Sequence, residues 1–496
     1  MRAITSDRPI EHPSSDYDHV ADNSSCRLSV STPSQRLCTL LVVCTMAWPV
    51  AAAEESKEPP TGVPENSIAH NFPKNGDADG RRAALAERGI TYGVNYMGEV
   101  FGSISGGIRE GARYSGILET VLDADFEKLN GWRGLTFHTS AFQIHGRGIT
   151  PEHVGSLNAI SNIEATPATR LFEFWFEQDL VKDKLSLRMG QMRVDYDGEF
   201  LNSQTAGLFV NANFGWPASA ALNLPSGGAT FPLAGLGARL KYKPTDTWTL
   251  LAAIFNDDPA GPCAGDPQVC NNDGLKFRLH DNPFVIGEVQ YKYSENKDPG
   301  TLKGQIKFGA FADLAEFDDQ RFGTDGRSLA DPLSNGTARH HQGNYSVYGV
   351  IDQQIWRPAG KGAGSDDGLF AFGRIAGLPS AQNLVDVTVD AGLRLTGVVP
   401  GRPSDELGVG VAYNRMSKEV AGLDRDTIFF TTTTTPVHSG EVVAELTYKA
   451  QVARGWTIQP DLQYIWQPGG RAVDPNDPTK AIDNSLVLGV RSAINY

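Results

Sequence analysis

Apolar and polar residues alternate with a period of two along most of the chain after residue 90. The clearest example is 385–396 (VDVTVDAGLRLT), in which Val, Ala and Leu alternate with Asp, Thr, Gly and Arg. Successive side chains of a β-strand point to opposite faces of the sheet, so this pattern predicts a strand with one apolar and one polar face. Many such segments, separated by Gly, Pro, Asn and Asp, predict an all-β chain.

Several of these segments are joined by very short connections. Residues 236–243 and 248–254 flank a Pro-Thr-Asp turn, and residues 442–450 and 456–466 flank an Arg-Gly turn. Such connections predict antiparallel hairpins. Before the first strand, residues 80–88 (GRRAALAER) predict one short N-terminal helix that ends at Gly89.

Alternation is compatible with two architectures, a soluble β-sandwich and a transmembrane β-barrel. In a sandwich the apolar rows meet a second sheet, whereas in an outer-membrane barrel they face lipid and the polar rows line a watery lumen. Aromatic residues at strand ends, short turns that alternate with long polar loops, and a mean hydropathy of −0.29 favour the barrel. So does the last segment, 486–496 (LVLGVRSAINY), because an aromatic-ended final strand is typical of a barrel that closes its last strand onto its first.

The first residues have the features of an export signal. The apolar stretch 37–50 follows two arginines and precedes Ala51-Ala52-Ala53, a small-residue cleavage pattern. We therefore assign residues 1–53 to a signal peptide preceded by an extension upstream of the true start, because five acids in 1–26 are unusual in an export signal. The polar, Pro-rich residues 54–79 predict a flexible leader.

Composition and charge exclude some classes of protein. The 496 residues include 44 Lys and Arg and 58 Asp and Glu, a formal net charge of −14, so we expect no nucleic-acid partner. A helical membrane protein with several spans is also excluded, because beyond residue 60 no apolar run reaches about 18 residues.

Cysteine usage agrees with export. Of the five cysteines, only Cys263 and Cys270 lie beyond the signal, in a polar stretch. In an oxidising compartment this pair predicts a loop disulfide. A metal site is not expected there, since two thiols without a nearby His are an incomplete ligand set.

Blocks of sequence throughout the chain resemble the carbohydrate-selective porin family of the OprB type. They are RLFEFWFEQDL, KLSLRMGQMRVD, LFVNANFGWP, ALNLPSGGATFP and GLGARLKYKP within 170–244, with LAERGITYGVNY at 85–96, DADFEKLNGWRG at 123–134, YGVIDQQIW at 348–356, and ELTYKAQV and TIQPDLQYIWQPGG within 445–470. The resemblance covers roughly residues 80–496. The Cys263–Cys270 loop and the threonine run 431–435 depart from the family pattern.

The resemblance implies a transmembrane antiparallel β-barrel of about sixteen strands over residues 80–496, although eighteen strands would also fit the length. It also implies a bacterial outer-membrane porin through which sugars, such as the monosaccharide glucose, diffuse into the periplasm. The expected partners are carbohydrates and outer-membrane lipid. The expected state is a monomer or a homotrimer.

A sugar presents hydroxyl groups and apolar C–H faces, so a selective passage needs hydrogen-bonding groups, preferably charged, and aromatic rings. Alternation places eight candidate pore residues on inward rows: Glu173, Trp175, Glu177, Arg188, Arg239, Asp386, Asp390 and Arg394. Glu173 and Glu177 with Trp175 between them are the strongest candidates, because one row then offers two acceptors and a stacking ring.

The sequence indicates no enzyme and no cofactor. His340-His341 lacks the HExxH spacing, Val437-His438-Ser439 lacks a third catalytic member, and no G-x-S-x-G segment is present. The acid-rich stretch 256–273 lacks the spacing of an EF-hand calcium loop. Two alternatives stay open at this point, an outer-membrane barrel enzyme and an exported soluble β-sandwich or lectin.

The signal assignment predicts that the mature chain begins near Glu54. N-terminal sequencing or intact-mass measurement of the membrane-resident protein checks this. A mature N-terminus upstream of residue 37 would contradict the assignment.

Overall fold

A computed structural model describes residues 62–293, 301–362 and 364–496. The signal predicted at residues 1–53 lies outside the described residues. Over the rest, strands dominate and form one sheet that closes on itself.

The described strands pair in antiparallel order around the barrel. They are β1 (Ile90–Gly107), β2 (Gly111–Asp125), β3 (Leu135–Gly146), β4 (Ala168–Val181), β5 (Leu185–Met192), β6 (Gly235–Tyr242), β7 (Trp248–Asn256), β8 (Pro283–Tyr293), β9 (Gly304–Gly323), β10 (Ala338–Trp356), β11 (Gly368–Gly377), β12 (Val385–Thr396), β13 (Glu406–Met416), β14 (Gly440–Ala453), β15 (Trp456–Trp466), β16 (Val473–Asp474), β17 (Asp477–Ala481) and β18 (Asp483–Asn495). Within the described ranges, β16 and β17 form a separate hairpin and the other sixteen strands form the closed barrel, with β18 paired to β1. The prediction of a barrel of about sixteen strands is confirmed.

Helices are short and few in the part of the chain that is described. They are α1 (Arg81–Glu87), α2 (Phe126–Asn130), α3 (Ala218–Ala221), α4 (Pro267–Cys270), α5 (Lys418–Thr431) and α6 (Pro468–Arg471). The predicted N-terminal helix corresponds to α1. No helix among the residues described is long and apolar enough to cross a membrane.

The barrel is polar inside and apolar outside. On β11, Arg374 is 2% exposed while its neighbour Ile375 is 55% exposed, and on β12, Asp390 is 1% exposed while Val389 is 38% exposed. This is the reverse of a soluble sandwich, in which the apolar row is buried. It is the arrangement that a lipid-facing wall around a polar lumen requires, so the sandwich alternative is excluded.

The two ends of the barrel differ in the length of their connections. Short turns join β4 to β5 and β14 to β15, whereas long loops join β3 to β4 (147–167), β5 to β6 (193–234) and β7 to β8 (257–282). Outer-membrane barrels place short turns on the periplasmic side and long loops outside, which orients the chain. Cys263 and Cys270 are joined by a disulfide in the 257–282 loop, with a Cα–Cα distance of 6.1 Å.

The chain before β1 packs against the periplasmic turn between β14 and β15. Two short 3-10 helices, Ile68–Asn71 and Pro73–Gly76, lie there. The Arg454 guanidinium donates to the carbonyl of Glu65 (2.6 Å), and the Asn71 amide donates to the carbonyl of Arg454 (2.8 Å). The described part of the predicted leader, from residue 62 onward, is therefore tied to the barrel, unlike the loose segment expected from its composition.

The first and last strands meet beside α1. The backbone of Tyr496 exchanges two hydrogen bonds with Val94, each 2.9 Å long. The guanidinium of Arg82, which is 3% exposed, donates to the carbonyl of Tyr92 (2.8 Å) and lies 5.0 Å from the centre of the Tyr496 ring. The terminal aromatic residue thus links the seam of the barrel to the N-terminal helix.

This contact predicts that Tyr496→Ala destabilises the folded barrel by about 1 kcal/mol, because the cation–π contact with Arg82 is lost. The fraction that migrates as heat-modifiable folded protein on a gel should fall, while Tyr496→Phe should behave as wild type. Asn495→Ala is the matched control, since its side chain is exposed one residue away. Equal folded fractions for Tyr496→Ala and Asn495→Ala would contradict the role of the ring.

Candidate functional site

The 193–234 loop crosses the lumen. Its backbone N–H groups at Val210 and Asn211 donate to the two carboxylate oxygens of Glu445 on β14 (2.7 and 2.9 Å). β14 is eight strands around the barrel from β6, which is the opposite wall. The loop therefore spans the full width of the barrel and divides the lumen.

Charged wall residues hold this loop. Arg374 donates to the carbonyls of Leu201 (3.0 Å) and Gly215 (2.6 Å) and pairs with Asp390 (2.9 Å). Both of these charged side chains are 0% exposed. A buried carbonyl and a buried charge each need a partner, so the wall and the loop satisfy one another.

Two further wall residues anchor the first part of the same loop. The Lys307 ammonium donates to the carbonyls of Gly198 (2.5 Å) and Asn202 (2.7 Å). The Asp352 carboxylate accepts from the Ser203 hydroxyl (2.6 Å) and from the N–H of Thr205. Irregular backbone at membrane depth is tolerated only where such partners exist.

The 147–167 loop also enters the lumen. The Glu441 carboxylate accepts from the N–H of Leu157 (2.9 Å), and Arg491 donates to Asn162 Oδ1 (2.8 Å) while pairing with Glu99. The N–H of Asn162 donates to the carbonyl of Val210 (2.8 Å), which joins the two loops. Together they narrow the channel.

Within the 147–167 loop, Glu164 accepts hydrogen bonds from the backbone and hydroxyl of Thr150 (3.1 and 3.0 Å). Burial raises the pKa of Glu164 to about 7, and these hydrogen bonds oppose the rise. Near neutral pH this carboxyl is therefore only partly ionised.

Toward the periplasmic ends of β4, β5 and β6, three charged residues lie side by side on neighbouring strands. Glu177 on β4 is in register with Arg188 on β5, which is in register with Arg239 on β6. The Glu177 carboxylate accepts from Arg188 (2.8 and 2.9 Å) and from Arg239 (3.1 Å). We call Glu177, Arg188 and Arg239 the charged row.

Aromatic rings cover the charged row on one side. The Arg188 guanidinium lies 4.1 Å from the centre of the Trp175 ring and 4.3 Å from that of Tyr196. Arg239 also pairs with Glu199 of the loop (3.0 Å). Of the charged row only Glu177 is partly exposed, at 19% of its side chain, while the guanidiniums and the Trp175 ring, which also stacks on His138, are buried around it. A fixed acceptor at the lumen is a group that a polyhydroxylated solute can use.

All eight predicted pore residues lie on inward rows, but they do different things. Trp175, Glu177, Arg188 and Arg239 come together, and Glu173 supports them by accepting from the Trp175 indole N–H (3.3 Å). The other three lie on β12 in separate ion pairs: Asp386 with Arg415, Asp390 with Arg374, and Arg394 with Glu406.

Asp390 and Asp386 do not border the open lumen. Their side chains are 0% and 1% exposed. Asp390 holds the arginine that anchors the 193–234 loop, so it cannot touch a solute in transit. The prediction that these two acids line the passage is therefore wrong. The 193–234 loop, held by Arg374, covers Asp390, and the ion pair with Arg415 at the rim covers Asp386.

The sequence reading missed several of the residues that anchor the loops, namely Arg374, Lys307, Asp352 and Glu441. Arg374 shares an inward row with Phe370 and Phe372, so alternation along β11 could have found it. Glu199 and Tyr196 follow no strand pattern, and no periodic signal marks them. Among the residues described, no group of three or more His, Cys, Asp or Glu is placed to hold a metal ion.

The chain is similar to known porins over most of its length. Residues 109–496 match the family described as carbohydrate-selective porin, OprB family. Porin B of Pseudomonas aeruginosa is 24% identical over 84% of this chain and 89% of that protein. A putative porin of Acinetobacter baylyi, QuiX, is 21% identical over 85% of this chain and 92% of its own length. The high-pH structure of Pseudomonas putida OprB superposes with a TM-score of 0.73 at 23% identity, covering 85% of this chain and 98% of that one.

The anchoring role of Arg374 predicts that Arg374→Met loosens the 193–234 loop. Removing one partner of a buried pair costs about 3–5 kcal/mol. Here four groups lose their donor, the Asp390 carboxylate and the carbonyls of Leu201, Asn213 and Gly215. We expect a lower thermal midpoint and a larger, noisier single-channel conductance in planar bilayers.

Arg415→Met is the matched control, because it removes an Arg–Asp pair between the adjacent strands β12 and β13 at a position that is half exposed. Its conductance should equal that of the wild type. A quiet channel of wild-type conductance for Arg374→Met would contradict the anchoring role.

Proposed function

The chain belongs to the carbohydrate-selective porin family, OprB, and is an outer-membrane sugar porin, and we propose that its charged row is where a neutral monosaccharide such as glucose is bound in transit. The observation that carries this proposal is the position of the row. It lies on the wall beside the loop that crosses the lumen, with Glu177 and Lys241 still partly exposed.

Each group in the charged row has a role in sugar binding. The Glu177 carboxylate accepts hydrogen bonds from sugar hydroxyls, while the two buried guanidiniums hold it in place. The Trp175 and Tyr196 rings are nearly perpendicular to each other (84°) and both contact the Arg188 guanidinium, which fixes its orientation. Glu173 positions the Trp175 ring and is itself shielded, with 3% of its surface exposed.

The balance of charge supports passage of neutral solutes. Acids and bases are paired across the wall, so the lumen carries no strong field of one sign, and the net charge of the chain is −14. We expect a weak preference for cations, no preference for anions and no catalytic activity.

A monomer already contains the complete charged row, because all its members come from β4, β5 and β6 of one chain.

A barrel enzyme is the remaining alternative. It would need a nucleophile and a base within hydrogen-bonding distance. In the Val437-His438-Ser439 segment the Ser439 hydroxyl instead donates to Gln467 Oε1 (2.9 Å), while His438 is hydrogen-bonded to Asp424 on α5 (2.8 Å). No observation on the charged row favours covalent chemistry. The channel is therefore the function proposed.

This function predicts that Glu177→Gln weakens the block of ion current by glucose about fivefold, because a charge-assisted acceptor is replaced by a neutral one of the same shape. The measurement is the glucose dependence of single-channel current in a planar bilayer. Cation preference should fall as well, since two guanidiniums lose their counter-charge.

Asp179→Asn is the control, because Asp179 lies two residues further along the same inward row and is exposed. It removes one negative charge without altering the charged row. If no sugar changes the wild-type current while phosphate or another anion blocks it, the carbohydrate function is wrong even though the barrel is correct.

A further inference from the structure

A second chamber lies on the periplasmic side of the loop that crosses the lumen. It is a cavity of about 410 Å³ between the inward faces of β8 to β12 and the loop residues Gln204 and Thr205. Small-molecule sites have volumes of about 300–1,000 Å³, so this chamber is large enough for a sugar ring.

The chamber is separate from the charged row. The chamber wall runs from β8 to β12, whereas the charged row belongs to β4, β5 and β6, with β7 between them. Both lie near the periplasmic ends of their strands, the chamber at β8 to β12 and the charged row at β4 to β6. The chamber is therefore a separate place where a solute can bind before it leaves through the periplasmic opening.

One aromatic ring stands in the wall of the chamber. Phe370 is on the inward row of β11 and is only partly buried, unlike Phe372 on the same row, which is 4% exposed and packs against loop residue Phe209. The ammonium of Lys303 lies 5.8 Å from the centre of the Phe370 ring. An accessible ring beside fixed charges suits the C–H face of a pyranose.

Polar groups of both kinds surround the ring. Lys303 pairs with Asp366, and Arg394 pairs with Glu406 (2.5 Å) and reaches the carbonyl of Gln204. These groups donate and accept, as a solute with several hydroxyls requires.

We propose that this chamber is a second saccharide subsite, in which a pyranose ring stacks on Phe370 and its hydroxyls bond to the surrounding polar groups before release into the periplasm. The proposal rests on the sugar-porin function and adds a second place of binding to it. It requires a ring with a flat C–H face, so it distinguishes cyclic sugars from open-chain polyols.

The test compares Phe370→Ala with Leu369→Ala in the full mature channel. Leu369 is the neighbouring residue on β11 and faces outward, so its loss controls for truncation of the strand. Glucose is added to the solution on one side of a planar bilayer and then to the solution on the other side. The dwell time of each block of the current is recorded. We expect Phe370→Ala to shorten the dwell time about fivefold, most clearly for glucose added on the periplasmic side, with Leu369→Ala unchanged.

Two further arms make the outcome decisive. Block by mannitol, an open-chain polyol, should change little in Phe370→Ala. Phe370→Leu keeps an apolar side chain but no flat ring, so it should shorten the dwell time of glucose block about as much as expected for Phe370→Ala, and it replaces that variant if the alanine variant does not fold. If glucose blocks the wild type and the Phe370 variants show wild-type dwell times, the subsite is wrong while the sugar-porin function stands. If glucose does not block the wild type from either side, the porin function and the subsite fail together.

Discussion

The fold depends on one constraint, which is that every backbone N–H and C=O at membrane depth must find a partner inside the protein. A sheet satisfies this only when it has no edges, and here β18 pairs with β1 to remove the last two. The closed sheet then has a lipid-facing side and a lumen-facing side. The alternation of apolar and polar residues follows from that division.

The same constraint governs the loops within the lumen. The 193–234 loop has little regular structure, so its backbone groups depend on side chains of the wall, and Arg374, Lys307, Asp352 and Glu445 supply them. Charge on the inner wall therefore has two tasks. Some residues hold the loop that narrows the channel, and others, such as Glu177, remain open to a solute.

This division explains which site residues could be predicted. The inward orientation of Glu177, Arg188 and Arg239 follows from alternation in three consecutive strands, and their meeting follows from the register of β4, β5 and β6. Asp390 has the same pattern in sequence, yet it is covered by a loop from more than 150 residues away. Strand periodicity reports which face a side chain is on, but not what lies over that face.

The sequence by itself determined the strands, their inward and outward faces and the family of the chain, because these depend on local alternation and on blocks of adjacent residues. Only the tertiary structure decided which inward charges bind the loops and which meet the lumen, where the chamber beside Phe370 lies, and how Tyr496 contacts Arg82. Each of these is a contact between segments far apart in the chain. Such contacts are set by closure of the barrel and by the path of irregular loops, which no local pattern encodes.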